Sequence, residues 1–153
     1  MRRHANPEPE PVVDTVAVEL QRTLNMLLPI RRQRLNRSER QQREHEQRLT
    51  QLETQTDRAG ERLNEYQQGY QQLRAGFAAQ NCGVHQAIYL LERALEQEQQ
   101  ALKKVHGERL TLEELAQARL VQQQHVEAAR QETRQRQRDV EKLEFLLQQE
   151  VSE

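Results

Sequence analysis

The chain contains no tryptophan, three tyrosines, two phenylalanines, one cysteine and four prolines in 153 residues. Each shortage excludes something. Aromatics at 3% and apolar residues at 35% leave too little volume to fill the centre of a sphere of this length. A single cysteine excludes an internal disulfide framework. No apolar run approaches the ~18 residues of a membrane-spanning helix. The opening "MRRHANPEPEP" has charge but no hydrophobic segment after it, which argues against a cleaved secretory signal and, with the lone cysteine, points to a reducing, cytoplasmic setting. Proline is absent from Ile30 to Ala79 and again from Val84 to Val151.

What remains is polar but helix-prone. Mean hydropathy is -1.07, yet net charge is only -1 and the polar residues are mostly Gln, Glu and Arg. That composition suits long helices joined along a narrow apolar seam rather than disorder. Leu49, Leu52, Thr56, Ala59, Leu63, Tyr66, Tyr70, Leu73 and Phe77 advance in alternating steps of three and four, a heptad seam. A second series advances in sevens through Val84, Leu91, Glu98, Val105, Leu112, Arg119, Val126, Thr133, Val140 and Leu147. Its companion residues fall four positions on at first (Ile88, Leu95, Leu102) and three on later (Leu115, Ala129, Leu143), which predicts an apolar face that rotates slightly. "TLEE" at 111–114 resembles a capping box after Gly107, but the sevenfold series crosses it undisturbed and favours one continuous helix.

Between the two series lies "AQNCGVHQ". Asn81 and Gly83 tolerate left-handed backbone, so Asn81, Cys82 and Gly83 are expected to form the tip of a reversal near 79–84. The predicted fold is all-α: an antiparallel two-helix coiled-coil hairpin over 29–153 with a disordered N-terminal arm. The arm is the proline-rich 1–11. A short amphipathic helix occupies 12–28, with Asp14 or Thr15 as N-cap and Pro29 ending or kinking it, unless Pro29 opens the next helix. A helix of fifty residues would measure roughly 75 Å. Matching the two series places Tyr70 opposite Leu91, Ala59 opposite Leu102, Leu49 opposite Leu112 and Leu35 opposite Val126.

Cys82 and His85 form half of a zinc motif, with no second cysteine to complete it. A Cys–His nucleophile needs an enclosed pocket and an orienting group, which a helical tip does not supply. The remaining histidines lack metal-ligand spacing, and there is no glycine-rich phosphate loop. The sequence therefore points to a non-enzymatic protein with no cofactor, no metal site and no small-molecule substrate.

Arginine is the conspicuous charge. Ile30–Arg43 carries Arg31, Arg32, Arg34, Arg37, Arg40 and Arg43 against one acid, Glu39. Arg119, Arg130, Arg134, Arg136 and Arg138 form a second cluster. A solvated, salt-bridged helix face is the first reading, an acidic protein partner the second, and nucleic acid the third. From Asn36 to Arg48 the first helix has no large apolar residue, whereas 113–125 offers Leu115, Leu120 and Val121. A one-sided seam implies that the helices splay there or that another chain covers these leucines and this valine. Arg31, Arg32, Arg34, Arg37, Arg40, Leu115, Leu120, Val121, Arg130 and Arg134 are thus the candidate partner-binding residues.

The Arg-rich "IRRQRLNRSERQQREHEQRL", the glycine-marked reversal and "ERLTLEELAQARLVQQQHVEAAR" together resemble the type III secretion stalk proteins of the YscO/HrpO kind, relatives of flagellar FliJ. The resemblance covers about residues 30 to 150 and rests on pattern, length and charge. It implies an antiparallel two-helix stalk without catalytic residues that engages the secretion ATPase ring and the export gate and sometimes escorts chaperones. The proline-rich arm and the valine-rich segment before Pro29 depart from the usual short start of that family. The alternatives are a generic cytoplasmic coiled-coil scaffold and an Arg-rich nucleic-acid-associated protein.

Overall fold

The structure, a computed structural model, describes residues 12–81 and 88–152. It is all-α. Helix α1 spans Val12–Asn81 and helix α2 spans Ile88–Ser152, and the two pack antiparallel against each other. Residues 1–11, the expected arm, lie outside the described residues, as do Cys82 and Gly83; Asn81 is the last residue of α1.

Helix α1 does not stop at Pro29. It runs through that residue, so the separate helix expected over 12–28 is instead the first part of α1. A proline inside a helix removes one backbone hydrogen bond and costs ~3 kcal/mol. Pro29 is exposed, while Leu24 beside it is buried and Leu28 half-buried. Packing of the leucine face holds the helix through the break. Helix α2 is likewise unbroken at Gly107. Thr111 donates its hydroxyl to the Gly107 carbonyl at 3.0 Å, the bond of a mid-helix threonine to the preceding turn rather than of an N-cap.

The chain divides into two compact units, one formed by Met1–Glu44 with Glu127–Glu153 and the other by His45–Val126. In the second unit, Leu52, Ala59, Val105 and Val126 are buried. Its cross-helix bonds define the register. Gln122 reaches His45, Arg62 pairs with Glu108 at 3.0 Å, and the Tyr70 hydroxyl lies 3.5 Å from Glu98. Tyr70 is therefore level with residue 98 rather than with the expected 91, a displacement of 98 − 91 = 7 residues, one heptad. Heptad periodicity is blind to such a shift, because every seam residue still meets a seam residue. Small-to-large packing fits the observed register: Tyr66, Tyr70 and Leu73 line one groove with Ala101, and Leu73 and Phe77 line another with Ala94.

The expected rotation of the α2 face does not occur. Ile88 is 75% exposed and Leu95 is also exposed, whereas Ala94, Glu98 and Ala101 are half-buried. Of the expected companions four residues on, only Leu102 is half-buried; Ala94, three on, takes the place of Leu95 beside the seam, and Ala101, three on, is half-buried with Leu102.

In the first unit, Leu24, Ala129, Val140 and Leu143 are buried. Arg31 donates from Nη1 to the Asp139 carbonyl at 3.0 Å, and Arg32 pairs with Glu144 at 3.1 Å.

Candidate interaction surfaces

The seam is not one-sided. Seam positions of α1 continue upstream of Leu49 in the same steps of four and three through His45, Gln42 and Ser38 to Leu35 and Arg31, all buried or half-buried. Ser38 is only 4% exposed. On α2, Gln122 is 9% exposed and occupies the seam three residues after the exposed Arg119. The helices do not splay here. Short and polar side chains fill the contact.

His45 and Gln122 form the polar layer of the second unit. The Gln122 amide donates to the His45 carbonyl at 3.0 Å and lies 3.2 Å from His45 Nδ1. The His125 ring stands edge-on to the His45 ring, with centroids 5.6 Å apart at 64°. A buried amide satisfied in this way costs little, and one left unsatisfied would cost ~1–3 kcal/mol. The layer therefore favours a pairing that brings 45 and 122 together. The sequence signal was present as steps of four and three leading back from Leu49, but polar residues at those steps read as surface.

The ten candidate partner-binding residues separate into distinct environments. Leu115 is half-buried and belongs to the seam. Leu120 and Val121, 53% and 49% exposed, lie on the side of α2 away from the seam. Leu110, which sequence reasoning passed over, is exposed on that same side one helical stretch of ~15 Å earlier. Three half-exposed aliphatic side chains on one side of a polar helix are an apolar surface that no described residue covers.

Among the arginines, Arg31 and Arg32 are engaged with α2 as described. Arg134 reaches Glu127 at 3.3 Å within its own helix, and Arg130 also has a partner. Arg34, Arg37 and Arg40 are exposed. The structure brings Arg34 and Arg37 together with Arg136 of the second cluster, around a crevice of about 270 Å³ also lined by Ser38, Gln41 and Glu132. Arg136 lies 3.8 Å from Glu132. Such exposed pairs contribute ~0.2–1 kcal/mol each, so their arginines remain available to a partner's carboxylates.

In the second unit, Gly69 and Gly76 border the groove of about 590 Å³ with Leu73, Phe77, Leu90 and Ala94. In the first, Val16, Val18, Leu20, Met26, Leu27 and Ile30 of α1 and Phe145 and Leu146 of α2 are exposed. No helix among the described residues is long and apolar enough to cross a membrane. The chain matches no protein-family model, no curated protein and no solved structure.

Proposed function

We propose that the protein is a non-enzymatic, coiled-coil component of a bacterial type III secretion export apparatus, a stalk that engages the secretion ATPase ring and export gate and escorts chaperones. The observation that carries a protein-binding role is the exposed aliphatic surface of Leu110, Leu120 and Val121 on the back of α2. Each such side chain gains ~1.5–3 kcal/mol when fully buried, so a partner that covers them gains affinity. The exposed arginines add attraction to an acidic partner and a salt-dependent association rate. The antiparallel helix pair and the sequence resemblance support the finer reading, that the partner is the export machinery. A cytoplasmic location follows from that reading.

The test uses the full chain and the purified secretion ATPase of the same host. Leu120→Gln and Val121→Gln are expected to keep the helicity and melting temperature of the free protein while weakening binding about tenfold, or ~1.4 kcal/mol. Leu115→Gln, in the seam, should instead lower the melting temperature. No measurable binding by the unaltered chain would refute the secretion reading. Binding that Leu120→Gln and Val121→Gln leave unchanged would remove this surface from it.

A further inference from the structure

The first stretch of α1 is apolar on more sides than one neighbouring helix can cover. Leu24 is buried and Leu28 half-buried at seam positions, yet Val16, Leu20, Met26, Leu27 and Ile30 stay exposed. A helix apolar around most of its circumference is ordinarily buried. Val16, Leu20, Leu27 and Ile30, with Thr23 between them, each stand one residue before a seam position of α1: Ala17, Gln21, Leu24, Leu28 and Arg31. Their spacing of three and four makes a second stripe flanking the seam. On α2, exposed Leu146 stands one residue before half-buried Leu147. In an antiparallel pair, flanks of the same hand lie on the same side of both helices. Leu146 therefore widens the same face.

We propose that this face binds a second copy of the chain, with α1 of each copy antiparallel to α1 of the other about a twofold axis near Thr23. The spacing is self-complementary. Val16 and Ile30 are each seven residues from Thr23, and Leu20 and Leu27 are three and four residues away, so Val16 meets Ile30 and Leu20 meets Leu27 on either side of a Thr23 pair. Charge selects the direction. Residues 12–19 at the start of α1 carry Asp14 and Glu19 and no Lys or Arg, whereas residues 31–37 carry Arg31, Arg32, Arg34 and Arg37 and no acid. An antiparallel pairing places the acidic lead of one copy beside the arginines of the other. A parallel pairing would set like charges together along the same stripe. Arg34 and Arg37 have no ion-pair partner among the described residues, so they are free to take that role. The inference does not depend on the secretion reading.

Sedimentation equilibrium on the full chain tests it. A dimer is expected at tens of micromolar, roughly the range of a modest interface. Leu20→Glu with Leu27→Glu should give a monomer of unchanged helicity. If that double variant loses helicity, Arg34→Glu at an exposed position reads the same interface, and about tenfold weaker dimerisation is expected. Direction is read by disulfide exchange in a Cys82→Ser background. A Val16→Cys chain mixed with an Ile30→Cys chain should form the mixed disulfide, and Val16→Cys alone should not cross-link. A monomer at ~200 μM, where even a weak interface would associate, would overturn the proposal. So would efficient Val16→Cys self-linkage, or Arg34→Glu dimerising as well as the unaltered chain.

Discussion

The two compact units obey one packing rule and differ in what they leave over. In the His45–Val126 unit, the seam takes in Leu52, Ala59, Val105 and Val126 together with a polar layer at His45 and Gln122. Its exposed apolar residues include Leu110, Leu120 and Val121 on the back of α2, Leu73 of α1, and Ile88, Tyr89, Leu90, Leu91 and Leu95 where α2 starts. In the other unit the seam buries Leu24, Ala129, Val140, Leu143 and Ser38, and its surplus includes the Val16, Leu20, Leu27 and Ile30 flank of α1, Val18 and Met26 beside that flank, and Phe145 and Leu146 of α2. Hydrophobic content alone therefore does not say which residues stabilise the pair. Gln122 and Ser38 are buried while Leu120 and Leu27 are not, because heptad position outranks polarity when the interior is one residue wide.

Leu143→Ala against Leu120→Ala is the sharpest way to break that comparison. The first removes a buried seam side chain and should cost ~2–4 kcal/mol in urea unfolding, and the second, at an exposed position, should stay within ~0.5 kcal/mol. Equal losses would mean that position in the seam does not govern stability. The register offers a second test, read as cross-linking. In a Cys82→Ser background, Leu49→Cys with Arg119→Cys should form an intrachain disulfide, and Leu49→Cys with Leu112→Cys, one heptad away, should not.

Smaller effects sharpen the picture. Gly107→Ala meets nothing within 4 Å of the added carbon and sits in the middle of α2, so it should stabilise by ~1 kcal/mol through helix propensity. A loss of stability would show that α2 bends at that position. Gln122→Leu should leave stability equal or raise it by up to ~1 kcal/mol, while cross-links between positions one heptad out of register begin to appear. Continued single-register linkage would show that the His45–Gln122 layer does not select the pairing. A double-mutant cycle on Arg62 and Glu108 should give the least, ~0.5 kcal/mol, falling with added salt.

Much of this was legible in the residues. The near absence of proline and the spacing from Leu49 to Phe77 announced long helices and a heptad seam. The series Val105, Leu112, Val126, Val140 and Leu147 marked half of the α2 face. The misreadings share one cause. Ser38, Gln42, His45 and Gln122 are polar, so the stretch around them looked unpaired, and Leu95 and Ile88 are apolar, so they looked like seam. Pro29 looked like a boundary because its local cost was weighed without the packing of Leu24 and Leu28 that offsets it. Among the candidate surface residues, Leu120 and Val121 were read from the sequence as exposed, Leu115 was read both as a seam companion and as part of that surface and is half-buried in the seam, and Leu110 was missed among charged neighbours.

The sequence by itself determined that the chain is helical and that each helix has one face for a partner, because propensity and the three-four spacing are local properties of the chain. Register was decided only in the tertiary structure. Pairings one heptad apart satisfy the same three-four spacing, and the choice among them rests on cross-helix details: alanines 94 and 101 beside the bulky side chains of α1, the Gln122 amide on His45, and Arg62 on Glu108. The Arg62–Glu108 and His45–Gln122 pairs join residues 46 and 77 positions apart, so no local pattern in the sequence contains them.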